Sequence, residues 1–199
     1  MEKPAVTKHN INKHIKSRWS PRAFSDKPVP KEALQRISEA AKWAPSAYNE
    51  QPWRFFVGLK GDTTWKKIFD TLVEFNQGWA KLAPVLILSV GSKKFSANGH
   101  PNNVFTYDVG QSVAYITFQA TEEGLHVHQM SGFDPNKASE LFGIPNDFQA
   151  LTVIAIGYQG DPSLLDDGLR GAEAGPRSRK ESKELFFSES FGKASPLFE

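Results

Sequence analysis

Residues 44–53 read APSAYNEQPW. Pro45 and Pro52 stand near its two ends, and neither can continue a helix. Between them sit Ser46, Asn49 and Gln51, short hydrogen-bonding side chains on a constrained loop. Amides donate and accept together, so such a loop suits the edge of a heteroaromatic ligand. The same residues are ordinary turn formers. Turn formation alone explains less well why two Pro, Trp43, Trp53 and Gln51 gather around them.

The segments on either side give this stretch its place. Upstream, Lys31 to Trp43 is predicted to be a helix, with Pro30 at its first position and Leu34, Ile37, Ala41 and Ala44 at helical spacing. Downstream, Trp53 to Leu59 reads as a strand. Thr63 to Phe75 reads as helix. Val85 to Val90 is a continuous apolar run between Pro84 and Gly91 and suits a buried strand. Phe105 to Glu123 is the longest helix candidate. Val109, Val113, Ile116 and Ala120 form one stripe, and Phe105, Tyr115 and Phe118 make its other faces apolar too. A helix apolar most of the way round is buried on several sides, and a partner subunit could supply one of them. Gly124 caps its end. Asp134 to Phe142 is a short helix, and Leu151 to Tyr158 a second buried strand. The mixed order argues for an α+β fold around a central sheet.

The chain has 199 residues, 39% apolar and 23% charged, which suits one globular domain over residues 1–199. The tail from about 161 to 199 is polar with spaced apolar spots at Leu185, Phe186, Phe187, Phe191 and Phe198. It packs either on a partner subunit or on its own domain. A formal net charge of +2 is too small for a typical nucleic-acid binder. There is no cysteine, so disulfides and thiolate chemistry are excluded. No signal peptide or membrane-spanning run is visible, and a soluble, cytoplasmic protein with no membrane or nucleic-acid partner is expected.

Several common sites are missing. No two of the fifteen glycines stand two apart, so there is no G-x-G-x-x-G, and no G-x-x-x-x-G-K-[ST] occurs. No catalytic triad is marked. His126 and His128 form H-x-H on a possible strand, but no third ligand accompanies them, so the reading is a structural pair and no metal is expected. Two basic stretches remain. Arg18, Ser20 and Arg22 alternate, which in an extended chain aims two guanidinium groups and a hydroxyl to one side. Arg177 and Arg179 follow Gly175 and Pro176 at the same spacing. Taken alone, each stretch is also a solvated basic turn; together they can converge on one anion such as a phosphate.

Together these segments resemble the nitroreductase family of FMN-dependent oxidoreductases. The resemblance rests on Arg18-Trp19-Ser20-Pro21-Arg22-Ala23-Phe24, on the unbroken run Ala44 to Trp53, on the long helix, on the turn "QMSGFD" and on the late basic pair. It implies a nitroreductase-like fold, a mainly antiparallel sheet flanked by helices, in an intertwined homodimer with two flavins at the interface. It implies that Arg18 and Ser20 hold the phosphate and ribityl end, with Trp19 beside them through its backbone, and that Arg177 and Arg179 complete the phosphate site. Arg22 would face the pyrimidine edge of the ring. Pro45, Ser46, Ala47, Asn49 and Gln51 belong to the loop that reaches the other subunit's flavin. Asn76 would bond the ring's polar edge, and Gln129, Met130, Ser131 and Gly132 would lie behind the ring. Many relatives carry an acidic residue where Ser131 stands.

The implied activity is NADH- or NADPH-driven reduction of nitroaromatics, quinones or similar electron-poor small molecules by ping-pong hydride transfer, with FMN carrying the chemistry and no side chain assigned as catalytic. Two alternatives stand beside it. One is a different flavin reaction on the same fold, reductive dehalogenation or flavin fragmentation, which the short stretch between Phe95 and Phe105 disfavours because such relatives carry extra lid segments. The other is a non-catalytic flavin- or anion-binding module.

Overall fold

The computed structural model describes residues 2–198. Its centre is a four-stranded antiparallel sheet. The strands are β1 (Trp53–Leu59), β2 (Val85–Ser92), β3 (His126–Met130) and β4 (Phe148–Gly157), ordered β1-β2-β4-β3. The two central strands are the two continuous apolar runs of the sequence, as burial on both faces requires. Their register slips between Ser89 and Val90, where the Ser89 hydroxyl accepts the Thr152 N–H at 3.1 Å and sits 2.8 Å from the Thr152 hydroxyl.

Side-chain alternation along β2 sorts the core into two halves. Leu86, Leu88 and Val90 face one half with Phe24, Ile68 and Trp79. Val85 and Ile87 face the other with Ile37, Val113 and Ile116. Among the described residues seven α-helices surround the sheet: α1 (Lys13–Ser17), α2 (Lys31–Lys42), α3 (Thr63–Thr71), α4 (Glu74–Ala80), α5 (Phe105–Glu122), α6 (Pro135–Phe142) and α7 (Asp167–Ala174). Helices α2 and α5 pack together on one face, and α3 and α6 on the other. Arg36 and Glu123 tie α2 to α5 through two hydrogen bonds of 2.7 and 2.6 Å.

The fold is α+β, as the sequence predicts, with some differences. Pro30 caps α2 rather than opening it. The helix predicted over Thr63 to Phe75 is broken. Leu72 bridges Phe133 and the Val73 N–H donates to the Gly132 carbonyl, so a strand-like contact interrupts the helical ladder and α4 starts afresh at Glu74. In the tail, α7 is capped by Asp166, whose carboxylate accepts from the Leu169 N–H, and Leu165 and Leu169 join the core. Beyond it the aromatics meet one another, Phe186 with Phe198 at 4.7 Å and Phe187 with Phe191 at 5.1 Å. On α5, Tyr107, Tyr115 and Phe118 are exposed while Val109, Val113, Ile116 and Ala120 are buried. Among the described residues no helix is long and apolar enough to cross a membrane.

One glycine is fixed by close approach. A Cβ on Gly58 of β1 would lie 2.3 Å from the Trp65 backbone nitrogen of α3. Backbone cannot yield as a flexible side chain can. Gly58→Ala is expected to destabilise the protein by about 1–3 kcal/mol, measured as a lower urea midpoint at unchanged slope.

Candidate functional site

The two basic stretches meet. Arg18, Ser20 and Arg22 from one end of the chain and Arg177 and Arg179 from the other line one cavity of about 240 Å³. Helix α1 delivers the first group: its ladder stops at Arg18, whose N–H still donates to the His14 carbonyl. The chain then runs extended, and the Arg18 guanidinium reaches the Ser20 hydroxyl at 3.2 Å. Arg18, Arg177 and Arg179 also border an adjoining depression of about 710 Å³, together with Thr117 and Phe118 of α5 and Gln129 of β3.

The electrostatics of this cluster are unusual for a folded surface. Partial burial pushes the Arg18 pKa down, and the charges of Arg177 and Arg179 push it further the same way. Arg177 is lowered by burial and by Arg179. None of Arg18, Arg22, Arg177 and Arg179 forms a salt bridge among the described residues. Arg177 instead donates to the Lys3 and Lys16 carbonyls, and Arg179 to the Ser178 carbonyl. The Arg22 Nε and the Trp19 Nε1 are buried donors without a protein acceptor. Like charges gathered without a paired carboxylate, beside the orphan Nε of Arg22, suit an anionic, acceptor-rich ligand.

The backbone between Arg18 and Phe24 is clamped from three directions. The side chain of Glu173 on α7, 2% exposed, accepts the Arg22 N–H at 2.8 Å and the Ala23 N–H at 3.2 Å. The His128 Nδ1 lies 3.0 Å from the Pro21 carbonyl, and its ring packs 4.5 Å from that of Trp79. Trp19 is buried and meets His126 edge-on at 6.0 Å, so only its backbone is left for a ligand. The H-x-H pair is therefore structural. Among the described residues no cluster of three or more His, Asp or Glu could hold a metal.

The other sequence candidates lie outside these two cavities. The Asn76 amide donates to the Gly132 carbonyl at 2.9 Å, and a Cβ on Gly132 would sit 2.6 Å from the Asn76 Nδ2, so glycine is required there. Ser131 is exposed, whereas Met130 is 3% exposed and belongs to the core. Pro45, Ser46, Ala47, Asn49 and Gln51 form a separate loop at the start of α5. Tyr48, Asn49 and Gln51 all hold φ between 52° and 54°, the left-handed region that costs non-glycine residues energy and tends to persist where function needs it. Asp108 of α5 accepts the Ala47 N–H at 3.1 Å, Ser46 accepts the Gln51 N–H at 3.0 Å, and Glu50 accepts the Ser96 N–H at 3.0 Å. Sequence reasoning missed Glu173, Lys3 and Asp108; their partners lie far away along the chain and leave no local pattern.

The sequence profile of the Nitroreductase family matches residues 15–76 and 62–158. The chain belongs to the nitroreductase family. It is 30% identical over 161 residues to a putative NADH dehydrogenase/NAD(P)H nitroreductase of Stenotrophomonas maltophilia, an alignment covering 72% of this chain and 81% of the relative. It is 27% identical over 181 residues to an NADH dehydrogenase of Thermus thermophilus, covering 73% and 86%. A crystal structure of an oxidoreductase containing FMN superposes with a TM-score of 0.88 at 34% identity, covering 94% of this chain and 95% of that one.

In this nitroreductase-family protein the clamp carries a pH signature. Burial holds the His128 imidazole down at about 4, the Arg22 charge acts the same way, and the bond to the Pro21 carbonyl opposes both. The ordinary histidine value is near 6.5. The unfolded chain therefore binds the proton first. The stability contribution is complete above pH 6.5, declines as pH falls, and is lost below about 4, a change of about 3 kcal/mol. His126 is lowered by burial too and adds in the same direction. Unfolding free energies of the wild type and His128→Gln, measured between pH 7 and 4, are expected to diverge most at pH 7 and converge toward pH 4.

Proposed function

We propose that the chain is an FMN-dependent NAD(P)H oxidoreductase that reduces nitroaromatics, quinones or similar electron-poor compounds. One observation carries the reading: guanidinium groups from both ends of the chain border one cavity with no carboxylate paired to them. FMN fits that donor set. Its phosphate bears close to two negative charges, and Arg18, Arg177, Arg179 and the Ser20 hydroxyl are the groups that would hold it. The orphan Nε of Arg22 suits an acceptor on the ring's pyrimidine edge. When bound, FMN would supply hydride transfer, taking it from NADH or NADPH and passing it to the acceptor.

The chain's own part is binding and electrostatics. Arg22 brings positive charge to the edge where negative charge develops on reduction. Trp79 lies beneath it, with the guanidinium carbon 6.0 Å from the ring centre, and limits where that charge can go. In this reading Asn76, its amide nitrogen held by the Gly132 carbonyl, and Gln129 would offer polar groups to the ring. No side chain is needed as a fixed proton donor.

The reading includes a homodimer, in which the strained 45–51 loop of one copy reaches the flavin of the other. The exposed Tyr107, Tyr115 and Phe118 on α5 and the exposed Phe186, Phe191 and Leu197 of the tail support it.

Purified protein should bind FMN, bleach under anaerobic NADH or NADPH, and recover its yellow colour on adding a quinone or nitroaromatic. A colourless protein that takes up no added FMN sinks the reading. Arg18→Ala should weaken FMN binding about tenfold or more, the worth of a charge-assisted hydrogen bond. Riboflavin, which lacks the phosphate, should lose little. Equal losses for both ligands would move Arg18 away from the phosphate.

A further inference from the structure

Glu173 is a buried acid among cations. Lys3, Arg18, Arg22, Arg177 and Arg179 border the same cavity as Glu173. A buried carboxylate normally takes a cationic partner. This one takes none of the five. Its two oxygens accept the main-chain N–H groups of Arg22 and Ala23, at 2.8 and 3.2 Å. The Lys3 ammonium, which could have paired with it, donates instead to the main-chain carbonyls of Glu173 and Gly175. The Arg22 guanidinium thus has no carboxylate partner among the described residues, with its backbone fixed on one side by Glu173 and the preceding Pro21 carbonyl held by His128 on the other.

We infer that Glu173 is a positioning residue: by binding the backbone of Arg22 rather than its side chain, it fixes the main chain from which a guanidinium without a carboxylate partner extends over Trp79 at the border of the cavity. The carboxylate itself touches no ligand. The geometry stands on its own; only the identity of the ligand at Arg22, the flavin ring, rests on the functional reading above.

The inference has an unusual sign. Glu173→Gln removes a negative charge beside a cationic site, which by Coulomb's law alone tightens binding of an anion. It also turns one acceptor into an NH₂ group facing a main-chain donor. Positioning therefore demands the opposite result. Glu173→Gln should bind FMN about tenfold more weakly than wild type, as expected for loss of one well-directed charged hydrogen bond. Riboflavin should lose the same factor, because the group disturbed faces the ring and not the phosphate. Glu173→Asp keeps the charge but shortens the reach by one methylene, and should lose affinity as well. In an Arg22→Ala background, Glu173→Gln should cost nothing further, since residues acting through one another are not additive.

A second measurement needs no flavin. Hydrogen exchange of the Arg22 and Ala23 amides in the apoprotein should accelerate in both Glu173 variants, while protection of β2 and β4 is unchanged. Those strands also report whether each variant is folded. FMN binding by Glu173→Gln as tight as wild type or tighter overturns the inference. So does a loss of equal size in the Arg22→Ala background, and so does unchanged exchange at Arg22 and Ala23. If the wild type binds no flavin, the functional reading fails and the exchange measurement alone decides the role of Glu173.

Discussion

Burial and like charge together, at Arg18 and Arg177, are the constraint around which this molecule is arranged. Loss of solvent is the larger cost of charging either group; Arg177 and Arg179 add to it at Arg18, and Arg179 adds to it at Arg177. Neutralising them with carboxylates would be the simplest remedy, and it would abolish the site. The fold uses weaker devices. Main-chain carbonyls of Lys3, Lys16 and Ser178 receive the guanidinium protons of the late pair, and a single buried acid sits close by without pairing. Repulsion is tolerated because a rigid sheet lies behind it.

That rigidity has an identifiable source. β3 is an edge strand, and from one of its faces His126 and His128 project onto Trp19 and the Pro21 carbonyl. The extended segment after α1 is thereby strapped to the sheet by side chains rather than by a strand ladder. Phe24 then bridges Gln159 just past the end of β4 and stacks on Trp79 at 6.3 Å, which anchors the far end of the strap in the core. A polar site is held in place by an apolar one.

Much of this was legible in the sequence. The two buried strands, the first strand, α2, α5 and α6 all appear where periodicity and their Gly, Pro and Asp boundaries put them, to within a few residues. These are elements whose signal is local. The break between α3 and α4 was not legible, because neither Leu72 nor Val73 is a helix breaker; the contact with residues 132 and 133 breaks the helix, and that contact is tertiary. Met130 shows the same limit. It stands in a turn-like motif, but strand alternation in β3 turns it into the core. The arginines were legible as a pair of clusters because alternation aims side chains. Glu173 was not, because an acid in a short helix looks like surface until its partners are known. Asp166, the cap of α7, is a local signal of the helix that carries Glu173.

The bonds that assemble the site also fix when it can exist. Glu173 and Arg22 are separated by 151 positions, and Lys3 and Gly175 by 172. Closing loops of that length is slow compared with forming a helix or a hairpin. On a ribosome the amino-terminal arginines emerge early and remain without their clamp until α7 has left the exit tunnel. Closure of this clamp is thus a late event of biosynthesis, and a chain truncated ahead of α7 would keep its sheet strands and most of its core residues but lack the carboxylate that holds the Arg22 and Ala23 main chain.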